Sequence, residues 1–225
     1  MDVSKAVQTQ RTIRAFKPEA VPEVTIREVI ELAKLAPSNG NTQPWHIVVV
    51  SGDAKEQLKA AIRKEIEEGI KPYPVFPPGG SGLKGVYKDR QRACGFKYYA
   101  SMDVDRADGP GRDALMMRNY DFFGAPHAAF LSYPGTMNRA NAIDMGIFLQ
   151  NLLLLFVERG IQGCPQGALA IYPGPVKELL PIPEENAILC GLSFGYPDYD
   201  AQINSAKMTR EPFDNFADIV STLTT

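Results

Sequence analysis

Cysteine and histidine are scarce in this 225-residue chain, with three Cys, at 94, 164 and 190, and two His, at 46 and 127. No Cys-x-x-Cys pair occurs and the histidines stand far apart. That pattern excludes a disulfide framework and a zinc site of ordinary ligand spacing, and it predicts no bound metal. Charge of one sign is lacking too. Lys and Arg total 24 against 26 Asp and Glu, a net charge of −2, which removes the basic footprint of a dedicated nucleic-acid binder. Long apolar runs are missing as well. The longest, Ile143 to Val157, is interrupted by Asp144, Gly146, Gln150 and Asn151, too short and too polar to span a bilayer. The opening segment has no apolar stretch of the secretory kind. These absences lead us to expect a soluble, reduced, cytoplasmic protein with neither membrane nor nucleic acid as partner.

What is present is a globular composition. At 44% hydrophobic and 22% charged, the chain is neither disordered nor fibrous, and its length suits one domain over 1–225. Ile26, Val29, Ile30 and Ala33 fall on one helical face, so a helix is expected over 25–36, with Thr25 and Glu28 as a capping box and Pro37 as its stop. His46 to Ser51 reads as a strand, and Asp53 opens an amphipathic helix. His127 to Tyr133 and Ala187 to Gly195 read as further strands. Asn138 to Arg159 reads as a helix greasy on all sides, ending at Gly160. Such a helix belongs at the centre of the fold or in a subunit interface. Phe213 to Leu223 is expected to form a terminal helix. No regular βαβ rhythm connects these elements, so the class is α+β. The punctuated stretch 69–85 admits no regular element, and 69–124 reads as an insertion over the core.

Four segments carry candidate chemistry. Arg11, Thr12 and Arg14 supply two rigid donor forks and a hydroxyl, suited to an anion or simply to a solvated basic face. Pro37-Ser38-Asn39-Gly40-Asn41-Thr42-Gln43-Pro44-Trp45 is rich in amides for a turn, and amides suit a heterocycle with both donors and acceptors. Gly160, Gly163 and Gly167 bracket Cys164-Pro165-Gln166 and let backbone approach a flat ligand. Cys164, with no histidine near it in sequence, reads as a buried filler. Lys207 and Arg210 form a second basic pair near the C-terminus.

In order and spacing these segments resemble the FMN-dependent nitroreductase family, from about residue 8 to residue 216. The run Asn119-Tyr120-Asp121-Phe122-Phe123-Gly124-Ala125-Pro126 is similar to a bacterial subgroup acting on nitrobenzoates and dinitroanilines. The resemblance implies a mixed, mostly antiparallel sheet packed with helices, in an intertwined homodimer that holds FMN between its subunits. Carried over by position, Arg11 and Thr12 meet the FMN phosphate and ribityl chain, and Arg14 the pyrimidine edge. Pro37, Ser38, Asn39 and Asn41 line the flavin from the partner. Pro165, Gln166 and Gly167 run beside the ring, and Lys207 and Arg210 return to the phosphate. Gln10 stands where many members carry a further arginine. The activity implied is reduction of a small aromatic nitro compound by NADH or NADPH, through two-electron ping-pong hydride transfer with no catalytic side chain. Quinone or enone reduction, dehalogenation, flavin breakdown and non-catalytic flavin binding are the alternatives on the same fold. The dehalogenases use a Glu-x-x-x-Tyr pair in the lid, and no Tyr in 69–124 has a Glu four positions earlier. Tyr87, Tyr98, Tyr99, Tyr120, Phe122 and Phe123 are many aromatics for a solvent loop. Of these, Tyr87, Tyr99, Phe122 and Phe123 are the expected acceptor contacts. No Rossmann fingerprint is present to choose between NADH and NADPH.

Overall fold

The β-branched run His46–Ser51 forms strand β1, and its inner edge pairs with β2, His127–Pro134. Beyond β2 lie β4, Asn186–Gly195, and β3, Gln162–Gln166, giving the order β1-β2-β4-β3 with every pair antiparallel. The computed structural model describes residues 1–77 and 79–222. Alternation along β2 sets two helical layers, because successive side chains of a strand point to opposite faces. Ala129, Leu131 and Tyr133 face one core with Leu192 and Phe194 of β4. Ala128 and Phe130 face the other. A bulge between Leu131 and Ser132 turns Ile188 to the second face.

Helices α2, Glu23–Ala33, and α6, Arg139–Glu158, cover the first face through Val29, Ala33, Met145, Phe148, Leu152 and Phe156. Helices α3, Gly52–Glu67, and α7, Pro173–Leu179, cover the second through Leu58, Ile62 and Val176. Helix α6 is the one described helix long and apolar enough to cross a membrane, yet it is the central helix of a folded core. Asn138 caps it reciprocally with Asn141, and Gly160 closes it at φ +70°. Its greasy surface is not wholly covered within the chain, since Ile143 is 66% exposed.

Three boundaries differ from the sequence expectation. Helix α2 starts at Glu23 behind Pro22 and ends at Ala33, so Thr25 is not its cap. Proline tolerates the helix entrance because no intrahelical donor is needed there. Among the described residues 69–84 hold no helix or strand, but the expected irregular stretch 69–85 runs one residue too far, because α4, Gly85–Ala100, begins at its last residue, and α5, Gly109–Met117, follows within the insertion. The expected helix Phe213–Leu223 is absent from the described residues, where only a 3₁₀ turn forms at Phe213–Asn215; Leu223 itself lies outside them. The apolar spacing is there, but Phe216, Ile219 and Val220 are exposed. A helix of that length needs a surface to pack on.

Candidate functional site

Residues 10–16 leave α1, Val3–Thr9, as an extended segment along the free edge of β3. The fully buried Ile13 turns inward, and its N–H donates to the Gly163 carbonyl at 3.3 Å. Phe16 bridges to Pro197. With Ile13 inward, the neighbours Thr12 and Arg14 face away from the core. The Arg14 guanidinium lies over the Tyr98 ring, 4.8 Å from its centroid, and 5.9 Å from that of Phe123. Arg11 lies 5.1 Å over Tyr199.

A residue with no motif behind it ties the C-terminal segment to this edge. Asn204 accepts from the Arg14 N–H at 2.7 Å and donates to the carbonyls of Ala15, at 2.9 Å, and Asp198, at 2.7 Å. Lys207 follows three residues later. The N-terminal motif, β3 and the start of the C-terminal motif therefore meet. Arg210 is not drawn in with them; its guanidinium donates only to the nearby carbonyls of Met208 and Thr209. The next residue, Glu211, pairs with Arg90 of α4 at 3.2 Å. None of Arg11, Arg14, Lys207 and Arg210 pairs with a carboxylate among the described residues.

Strand β3 distributes its glycines differently from the sequence expectation. A Cβ on Gly163 would sit 2.9 Å from Leu192 and 3.1 Å from Leu153, so core packing explains that glycine. Gly160 serves the end of α6. A Cβ on Gly167, just past β3, would meet open space, as would one on Gly160. The Gln166 side chain is committed inward. It donates to Asn119 O and Oδ1, at 3.0 and 3.2 Å, and accepts from the Ser193 hydroxyl. Only its backbone is left for a ligand. Cys164 is buried beneath Arg14, and burial pushes its thiol up to about 12. At neutral pH it is no thiolate and no nucleophile.

The amide-rich loop lies elsewhere. Gly40, Asn41 and Gln43 adopt positive φ, and the Ser38 hydroxyl accepts from Gln43 N–H at 3.0 Å. Asn39 N–H donates to Asp144 of α6 at 3.1 Å, and Trp45 stacks on Phe148 at 5.2 Å. Pro37, Asn39 and Asn41 are exposed and Ser38 half-buried. The loop leads into β1, one outer strand, while Pro165 and Gln166 lie on the other. Three strand spacings of ~4.8 Å separate them, about 14 Å. One chain does not bring the second motif to the other three.

The aromatic expectations divide. Phe122 is fully buried, edge-on to Phe130 in the second core, and is not a contact for any acceptor. Phe123 is buried too, but forms a wall beneath Arg14 with Ile13 and Cys164. Tyr87 is exposed beside Arg90. Tyr99 lines a cavity of about 640 Å³ within the insertion. The aromatic nearest the converged motifs is Tyr98. Its hydroxyl is buried and has no hydrogen-bond partner among the described residues. Burial raises its phenol pKa against the opposing pull of Arg14 and Arg118. The position was visible in sequence only as one tyrosine among several.

Known proteins share this arrangement. The sequence pattern of the family described as "Nitroreductase family" matches residues 7–196. The 4-nitrobenzoate reductase of Pseudomonas putida is 35% identical over 216 residues, 96% of this chain and 94% of that protein. The FMN and NADPH-dependent nitroreductase NfnB from Sphigopyxis sp. strain HMH superposes with a TM-score of 0.95 at 32% identity, covering 99% of this chain and 100% of that one. The FMN-dependent NfnB from Mycobacterium smegmatis, solved in complex with NADPH, gives a TM-score of 0.92 at 35% identity over 97% and 100%.

Proposed function

Because the chain belongs to the nitroreductase family, we propose that it is an FMN-dependent NAD(P)H oxidoreductase that reduces nitroaromatic compounds. The observation that carries the reading is the convergence at the edge of β3. Arg11, Arg14 and the Lys207 segment meet there with no carboxylate among the described residues to neutralise them. Beside them stand an orphaned buried hydroxyl, Tyr98, and an open flank at Gly167. Uncompensated cations, a flat open strand edge and an unsatisfied donor fit a planar phosphorylated cofactor.

Bound FMN supplies two-electron redox chemistry, which amino-acid side chains do not. The protein binds, orients and screens. Arg11, Thr12 and Lys207 would hold the phosphate and ribityl chain; Arg210, bonded to the carbonyls of Met208 and Thr209, stands apart from this set. Arg14, braced on Tyr98 and Phe123, keeps a positive charge at the pyrimidine edge. Pro165, the Gln166 backbone and Gly167 form the strip beside the ring. Ile13, Phe123 and Cys164 exclude water from behind it. The reaction calls for no nucleophile, in keeping with the protonated, buried Cys164.

We further propose that the working unit is a homodimer. Pro37, Ser38, Asn39 and Asn41 would then serve the flavin held at the β3 edge of a second copy, across the separation that one chain leaves. We read 1–225 as one domain in which 69–124 forms the lid, with Tyr87 and Tyr99 toward a small aromatic acceptor. Cys94, Cys164 and Cys190, all unpaired, suit a reducing cytoplasm. The test is direct. The purified protein is expected to be yellow with a stoichiometric load of FMN, and to oxidise NADH or NADPH when 4-nitrobenzoate is added. FAD in place of FMN, or no turnover with any nitroaromatic, overturns the reading.

A further inference from the structure

Among the described residues neither backbone group of Arg14 bonds to another stretch of backbone. Both are met by side chains from distant parts of the chain. Asn204 takes the N–H at 2.7 Å, and the C=O accepts from Nη2 of Arg118 at 3.3 Å. Arg118 belongs to none of the four segments singled out in the sequence. It is the half-buried residue that closes α5. Its bond brings a second guanidinium to the place where Arg14 lies over the Tyr98 ring. No carboxylate pairs with Arg118 among the described residues.

Three donors therefore stand together, two guanidinia without a counter-charge and the Tyr98 hydroxyl, which is buried without a partner. Burial raises the Tyr98 pKa, and the charges of Arg14 and then Arg118 pull against it. Like charges at one place repel, and a buried donor left unpaired is costly. Such a set is completed by an electron-rich ligand atom. Arg118 is also better fixed than Tyr98, whose helix α4 has no buried residue. The turn that follows Arg118 is rooted in the core. Phe122 and Phe123 are buried at φ +52°, a conformation that bulky side chains keep only where their surroundings enforce it. Phe123 N–H donates to the Arg118 carbonyl at 3.0 Å, and the Gln166 side chain holds both Asn119 oxygens. A charge fixed in advance needs no reorganisation when negative charge develops beside it.

We propose that Arg118 is a second cation at the pyrimidine edge of the flavin, acting beside Arg14 to favour the reduced form over the oxidised one. The proposal rests on the flavin reading above. Reduction gathers negative charge at that edge, so a cation there binds the reduced form more tightly and raises the midpoint potential. The test is a potentiometric titration of flavin-loaded wild type, Arg118→Lys and Arg118→Gln. Glutamine keeps a donor for the Arg14 carbonyl and loses the charge, whereas lysine keeps the charge. In Arg118→Gln the reduced flavin should lose about tenfold more affinity than the oxidised flavin, which lowers the midpoint by about 30 mV. Arg118→Lys should keep most of the wild-type midpoint. A fluorescence titration of each apoprotein with oxidised FMN gives the second half of the comparison. Equal midpoints in the three proteins overturn the proposal, as does a loss of oxidised FMN in Arg118→Gln as large as that of reduced FMN. A midpoint in Arg118→Lys as low as in Arg118→Gln overturns it too, because Arg118 is then only a brace for the Arg14 backbone. A wild type that binds no FMN sinks the flavin reading and this proposal together, whereas bound FMN with unmoved midpoints sinks the proposal alone.

Discussion

The Asn204 amide holds three partners, and removing it would leave the Arg14 N–H and the Asp198 carbonyl unsatisfied, while the Ala15 carbonyl keeps a bond from the Asp198 N–H at 3.1 Å. Asn204→Ala removes three hydrogen bonds and leaves the Arg14 N–H and the Asp198 carbonyl without a partner. At about 1 kcal/mol per bond the expected loss is about 2–3 kcal/mol in denaturant unfolding. Flavin retention should fall in parallel, because the segment that leads to Lys207 is no longer tied to Arg14 and Ala15. An unchanged midpoint would mean that water replaces the amide and the tie is weak. Nothing in the sequence marked Asn204, since its role is a contact across 190 positions of chain. Gln166 shows the reverse case. The motif was visible, but its side chain turns out to belong to Asn119 and Ser193.

His127 is a second residue whose role only the fold reveals. Its Nε2 accepts from the Val21 N–H at 2.8 Å, so its proton sits on Nδ1, toward the Ser51 hydroxyl. Burial, and then the charge of Lys55, lower its pKa from 6.5. The unfolded chain therefore takes up a proton at a pH where the folded one does not. Stability that is complete above about pH 6.5 is lost as the pH falls below it. The melting temperature should drop between pH 7.5 and pH 5 more steeply in wild type than in His127→Gln. Parallel profiles would show that His127 does not contribute to acid sensitivity.

Elements were legible in proportion to how much of their surface the chain itself buries. Strands β1, β2 and β4 and helix α6 announced themselves through apolar patterning, because the sheet and its two helical layers read that pattern directly. Helix α4 contains no buried residue, so no apolar period betrayed it. Its attachment rests on Tyr98 beneath Arg14 and on the Arg90–Glu211 pair. That ion pair is more than a third exposed on both sides and adds little. The cation–π contact, partly desolvated, is worth about 1–2 kcal/mol. Tyr98→Ala should therefore speed amide exchange in α4 by about 5–30-fold and leave the sheet unchanged. Added FMN should slow exchange in wild-type α4 but much less in the variant. Equal exchange in both proteins would place the anchor of α4 elsewhere.

At the scale of the whole molecule, the chain exposes what a single globule would bury. Val3 and Val7 on α1, Ile143 on α6, and Phe213, Phe216, Ile219 and Val220 in the C-terminal segment are all more than half exposed. Ile143 adjoins Asp144, which holds the Asn39 loop, so the uncovered part of α6 lies beside the motif that lacks its partner. If the working unit is the proposed homodimer, the exposed Phe213, Phe216, Ile219 and Val220 are a row of apolar contacts available to a second copy. It needs no helical geometry of its own. Full burial of a large apolar side chain contributes about 1.5–3 kcal/mol, before the cost of ordering the segment. Four such residues give an arm worth several kcal/mol to a dimer. Deleting 212–225 should therefore shift the protein toward monomer in light scattering at micromolar concentration. FMN should be lost with the dimer, because Pro37–Asn41 would no longer reach a neighbouring site. Ile143→Arg, a change on a different element, should weaken the same equilibrium. A full-length protein that is monomeric yet retains FMN and activity would show that one chain completes its own site, and the separation of the two sheet edges would then need another explanation.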